Sequence, residues 1–202
     1  MPLWLASDPL LLASRSAARR SLLEAAGVPV ELHSADIDER AVERDAGEAA
    51  PEAVAALLAY AKASAVAKLR PGRLTLGADQ TLALGGKRFS KPADRAAARM
   101  QLRALSGRTH ELHSAVAFVQ DATVLFEHVG TARLTMRTLS DQFLDRYLDR
   151  VGDAASVSVG AYQIESSGIQ LFEKIEGDYF TILGLPLLPA LNFLRRRGCL
   201  IA

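Results

Sequence analysis

Between Leu74 and Pro92 a short apolar run is bounded by Arg-Pro-Gly-Arg73 on one side and Gly85-Gly86 on the other. That run limits the fold more than any other stretch. An apolar segment of this length between turn residues predicts a buried strand turning into a hairpin. Asp79 closes its first part, and a carboxylate at a strand end opens onto the crevice of an α/β sheet, where ligand chemistry gathers. Gly77 and Ala78 leave room for a bulky group beside it. Lys91, fixed ahead of Pro92, follows the turn, so an ammonium and a carboxylate can face one space. From these residues alone, Asp79 as the cap of a turn stays equally open.

The flanking segments alternate strand and helix. Leu10–Ala13 reads as a strand and Ala17–Ala26 as a helix stopped by Gly27. Ser14 and Ser16 border that helix start, where free amides favour an anion. Arg19 and Arg20 sit in its first turns, poorly placed for the helix dipole; a negative partner or plain solvation would each account for them. Val28–Ala35 is a second strand candidate running into the acidic patch Asp36, Asp38 and Glu39. Such an acidic cluster, expected in a loop, is solvated, or holds a divalent cation when another carboxylate converges. Pro51–Leu69 is an amphipathic helix with Val54, Leu57, Leu58, Ala61, Ala65 and Val66 at helical spacing. Lys62 borders that stripe, where snorkelling from a core edge is the simplest reading. Further helices are expected at Ala93–Leu105, at Asp141–Arg150 after Ser140, and from Pro186 to Arg197. A hairpin is expected around Asp121-Ala122, between His113–Gln120 and Thr123–Val129, with Ala132–Met136 extending the sheet. The expected class is α/β with a mixed central sheet and flanking helices, in one domain spanning residues 1–202.

Composition narrows the function. In 202 residues, 24 Lys and Arg nearly cancel 23 Asp and Glu, giving +1, so no overall basic excess points to nucleic acid. One cysteine excludes an internal disulfide, and with four scattered histidines it builds no structural zinc site. Arg15, Arg19 and Arg20 break the first apolar run, which fits neither a signal peptide nor a membrane span. A cytoplasmic location is the expectation.

Eight short motifs recur in a telling order: Leu-Ala-Ser14-x-Ser, Asp-Ile-Asp-Glu39, Ala-x-x-Lys62-Ala, Gly-Ala-Asp79, Lys91-Pro92, Leu-Ser-Gly-x-x-His110, Gly160-Ala-Tyr162 and Gly184-Leu-Pro-Leu187. With them the chain resembles, over nearly its whole length, the Maf (septum-formation inhibitor) family of nucleoside triphosphate pyrophosphatases. The resemblance implies two lobes around a nucleotide-binding cleft. It also implies hydrolysis of a triphosphate between the α and β phosphates, with Mg²⁺ or Mn²⁺. By resemblance Asp79 is the general base and a metal ligand, and Glu39 helps hold the metal. Ser14, Arg19, Lys62 and Lys91 contact the triphosphate. The chemistry agrees, since a polyanion attacked by water needs cations around its oxygens. Asp79 as base and Asp79 as metal ligand alone both remain open.

Three departures bear on the substrate. Where the family commonly has Ser-Pro-Arg-Arg, the first arginine position falls on Ala18, and Arg20 points elsewhere. The common Asp-Thr is Asp79-Gln80, and the common Ile-Gln-Gly is Ile164-Glu165-Ser166. Gln and Glu at these places, and the shifted Arg pair, resemble the subgroup preferring 7-methyl-GTP. Ser-Gly-Arg-Thr-His110 and Gly-Ala-Tyr162 resemble the subgroup acting on dTTP and UTP. Glu165 suits the two N–H groups of a guanine edge. Gln80 and Glu165 are therefore expected to contact the base, with 7-methyl-GTP favoured, removal of modified or non-standard nucleotides as the role, and dTTP or UTP as the alternative. A nucleotide-binding cell-division regulator without turnover, and a nucleic-acid module using the arginines, are the competing readings. Asp79 and Glu39 weigh against the first, and balanced charge without aromatic stacking runs weighs against stable nucleic-acid binding. No membrane partner is expected, and the resemblance adds a homodimer.

Overall fold

The computed structural model describes residues 2–202. The chain runs β1 (Leu10–Ala13), α1 (Ala17–Ala25), β2 (Val30–Leu32), α2 (Glu39–Asp45), α3 (Pro51–Leu69), β3 (Thr75–Leu84) and β4 (Lys87–Phe89). It continues with α4 (Arg95–Leu105), β5 (Thr109–Gln120), β6 (Thr123–Met136) and α5 (Asp141–Val151). Short 3₁₀ turns then lead to β7 (Phe172–Glu176), α6 (Tyr179–Ile182) and α7 (Leu187–Arg196). The strands form one mixed sheet in the order β2-β1-β3-β5-β6-β7, with β4 paired to β3. β1 is parallel to β2 and β3, while β3–β4 and β6–β7 are antiparallel. This is the expected α/β class. Among the described residues, no helix is long and apolar enough to cross a membrane.

Two compact units divide the chain. The first comprises residues up to 80, 113–130 and 178–202, and the second 81–112 and 131–177. In the first, alternate residues of each strand face opposite ways. Leu10, Leu12, Leu76, Ala78, Val116 and Phe118 pack with Leu23 of α1 and with Leu187, Leu191 and Leu194 of α7. On the other face Leu11 and Ala13 meet Val66 of α3, and Ala115 and Ala117 meet Ala55, Ala59, Ala63 and Ala67. Helices therefore cover both faces of the parallel strands, as such strands require.

Four expectations need correction. β3 does not end at Asp79 but runs on to Leu84. The strand that ends is its neighbour: Ala13, the last residue of β1, lies opposite Gly77, so Asp79 clears the end of β1. The space beside Gly77 is not free for a ligand. A Cβ there would sit 2.1 Å from the Ala59 carbonyl and 2.6 Å from Ala63 N, because α3 packs directly on the strand. The buried face of α3 keeps Val54, Leu58 and Val66 of the expected stripe but turns to take in Ala55, Ala59, Ala63 and Ala67 while Leu57 is exposed, since only small residues allow that approach. Finally, Glu39 does not lie in a loop. Asp38 caps α2 by accepting from Ala41 N at 2.9 Å, and Glu39 occupies the first turn, where the dipole favours a carboxylate.

In the second unit α4 and α5 are tied by Arg99, which pairs with Asp141 and with Asp145 at 2.9 Å each. His110 is buried there beside Tyr162 and Phe172, with Nε2 2.7 Å from the Tyr162 hydroxyl.

Candidate functional site

The parallel arrangement gathers five of the expected residues within the first unit. α3 crosses the face of β3 that carries Gly77 and Asp79, and because Gly77 lets it come close, Lys62 reaches Asp79. Lys62 Nζ stands 2.5 Å from Asp79 Oδ1 and 3.0 Å from Glu39 Oε1. Lys62 and Asp79 are buried, Glu39 about half exposed at 53% of its side chain. The lysine therefore bridges two carboxylates instead of snorkelling to water.

Arg19 enters from α1, whose N-cap Ser16 accepts from Arg19 N at 3.4 Å. Its guanidinium is buried and held on two sides. Nε donates to the Gly184 carbonyl at 2.8 Å, and Nη1 donates to the Ala78 carbonyl at 2.8 Å and to Ser14 Oγ at 3.1 Å. Burial lowers its pKa from the usual value, while the charges of Asp79 and Glu39 push it back up. An arginine starts high enough to stay cationic. Ser14 Oγ also accepts from Ser16 N at 3.3 Å, which leaves its own proton to donate. Arg20, by contrast, is exposed and paired with Glu24 at 2.7 Å.

Gln80, next along β3, faces the opposite side. Its Nε2 lies within 2.9–3.1 Å of Ser114 Oγ and the carbonyls of Thr181 and Ile182, and Ser114 donates to the same Thr181 carbonyl at 2.7 Å. Ser114, Thr181 and the Gly184 carbonyl were not anticipated from sequence. The motif Gly184-Leu-Pro-Leu187 falls there, but nothing local shows which side chains it receives.

Lys91 and Glu165 belong to the second unit. Lys91 is exposed, next to Ser90, whose carbonyl accepts from Gln101 at 2.6 Å. Glu165 is exposed, with Gln163 two positions before it and Ser166 directly after it. Those two neighbours, with Tyr147, Arg150 and Tyr162, line an open cavity of about 600 Å³.

Chemically, the cluster in the first unit offers a guanidinium, an ammonium, a hydroxyl and two carboxylates. Among the described residues there is no group of three or more His, Cys, Asp or Glu side chains able to hold a metal. Asp79 and Glu39 can supply two hard oxygen ligands, with the remaining positions of a Mg²⁺ or Mn²⁺ ion left to water and phosphate. That donor set fits a cation that arrives with a triphosphate.

Fold and cluster together define an α/β protein whose first unit gathers two cations, a hydroxyl and two carboxylates. The Maf-like protein family matches residues 9–197, and the chain belongs to that family. A nucleoside triphosphate pyrophosphatase of Rhodopseudomonas palustris is 58% identical over 99% of both chains. A 7-methyl-GTP pyrophosphatase of Rhizobium etli is 56% identical over 94% of this chain and 96% of its own. Among solved structures, a HAM1 protein from Coxiella burnetii aligns with 63% of this chain and 72% of its own at 18% identity, with a TM-score of 0.43.

Proposed function

We propose that this protein hydrolyses nucleoside triphosphates to monophosphate and pyrophosphate, with the chemistry in the first unit. The observation that carries the reading is Lys62 bridging Asp79 and Glu39, in a unit where Arg19 is held by Ser14 and backbone carbonyls. Arg19 and Lys62 neutralise phosphate oxygens, and Ser14 donates to another. Lys91, in the second unit, is assigned to phosphate binding by the family resemblance alone. As water's oxygen bonds to phosphorus and the α–β bridging bond breaks, Asp79 takes the water proton and pyrophosphate leaves. A divalent cation held by Asp79 and Glu39 would neutralise the phosphate charge further.

For the base, 7-methyl-GTP is the favoured substrate and dTTP or UTP the alternative. Support comes from Glu165, an exposed carboxylate flanked by residues of a cavity large enough for a nucleobase. A carboxylate accepts from the guanine edge and favours the positive charge that 7-methylation adds, whereas a pyrimidine carbonyl repels it. Both a general and a 7-methyl-GTP enzyme stand among the relatives at similar identity, so the names do not divide the two.

Pyrophosphate release from 7-methyl-GTP, GTP, dTTP and UTP, with Mg²⁺, Mn²⁺ or chelator, tests the reading. The expected result is metal-dependent release, 7-methyl-GTP first in kcat/KM, and a narrowed ranking in Glu165→Gln. A parent that prefers dTTP, or a variant with an unchanged ranking, would remove the guanine assignment. Absence of release from every nucleotide would remove the enzyme reading.

A further inference from the structure

Gln80 differs from the rest of the cluster in where its bonds go. An amide nitrogen carries two protons, and Ser114 Oγ at 2.9 Å, the Ile182 carbonyl at 3.0 Å and the Thr181 carbonyl at 3.1 Å already compete for them. No donor is left for a nucleobase. The segment that receives these bonds is the single helical turn α6 with its cap and the glycine turn that closes it. Asp178 Oδ2 accepts from Thr181 N at 2.7 Å and from Thr181 Oγ1 at 3.0 Å, and Gly184 ends the turn at φ +93°. Gly130 passes so near that a Cβ there would lie 2.7 Å from Thr181 Oγ1.

At the end of this turn the Gly184 carbonyl accepts from Arg19 Nε. Nη1 is spent on Ser14 and Ala78, so Nη2 is the edge of Arg19 with no partner among the described residues. A planar guanidinium gripped at Nε and Nη1 cannot rotate, and the direction of Nη2 is then fixed by the carbonyl that holds Nε.

We infer that Gln80 and Ser114 are positioning residues for the phosphate chain. They lock the turn from Asp178 to Gly184, and its last carbonyl aims Arg19. This rests on the pyrophosphatase reading and revises one part of it, since Gln80 then acts on phosphate binding through Arg19 and not on the base.

Inorganic tripolyphosphate separates the two roles because it has the anion and no base. Its binding is measured by calorimetry beside that of the α,β-methylene analogues of 7-methyl-GTP and dTTP. Gln80→Ala and Ser114→Ala are expected to weaken all three ligands by a common factor of about ten, the loss of one aligned charge-assisted bond. In an Arg19→Lys background the same substitutions should change affinity by less than about twofold, since coupled residues are non-additive. Gln80→Glu keeps the shape but sets a carboxylate against two carbonyls, and it should weaken tripolyphosphate at least as much while near-ultraviolet circular dichroism stays native. A loss confined to the nucleotide analogues and differing between bases would make Gln80 a base contact and overturn the inference. Variants that bind all three ligands like the parent would overturn it as well. A parent that binds neither tripolyphosphate nor the analogues would instead sink the anion-site reading itself.

Discussion

Lys62 shows how one residue's role depends on its charge environment. Bridging a buried Asp79 and a half-exposed Glu39, it makes two like charges tolerable in one place, and breaking such a buried pair is costly. Lys62→Met keeps the volume and removes the charge. It should weaken triphosphate binding by about 10- to 100-fold, the worth of a desolvated charge-assisted contact, and monophosphate binding far less. Equal affinities in parent and variant, read by calorimetry, would make Lys62 purely structural. For Asp79→Asn the expectation is a fall in turnover of roughly a hundredfold to ten-thousandfold, the usual contribution of a general base. Its fold should persist, because Lys62 keeps Glu39. Near-parent turnover in a single-turnover assay would end the role given to Asp79.

At the scale of elements, the site depends on how closely α3 approaches β3. The alanines at 55, 59, 63 and 67 and the glycine at 77 are the smallest side chains available, and they meet where Lys62 must reach a strand. Gly77→Ala would put a methyl 2.1 Å from a helix carbonyl, and backbone cannot yield as a side chain can. Destabilisation of about 1–3 kcal/mol by overpacking is expected, together with loss of activity as Lys62 is pushed outward. Gly85→Ala, in open space at φ +57°, should cost only about 1 kcal/mol and leave activity intact. Urea midpoints and turnover of the two variants check the contrast, which disappears if Gly77 serves only the strand.

For the whole molecule, acid stability follows from His110. Burial lowers its pKa from about 6.5 to about 4, so it is neutral in the fold. The unfolded chain binds the extra proton first as pH falls, so stability is lost progressively from about pH 6.5 towards pH 4. Between pH 7 and pH 5 the parent should lose about 2 kcal/mol more than His110→Asn, at about 1.4 kcal/mol per pH unit below the unfolded pKa. Urea unfolding of both proteins at the two pH values measures the difference. Identical pH slopes would show that the imidazole is hydrated in the folded state.

Local physics made much of this legible in the sequence. The bounds of α3, the turns at Gly85-Gly86 and Asp121-Ala122, and the cap at Ser140 depend on residues a few positions apart, and all stand where the pattern places them. The cations and carboxylates are legible only as residue types in an ordered series of motifs. The unread parts lie where contacts bridge long separations. β7 and the short turns between Gly152 and Leu171 have too little periodicity to announce themselves. Lys62 meets Asp79 across 17 residues, Gln80 meets Thr181 across 101, and Arg19 meets Gly184 across 165. A sequence specifies the groups at such sites, but only packing decides which of two opposite strand faces each one takes. That alternation turns Asp79 towards α3 and the neighbouring Gln80 towards the turn that holds Arg19.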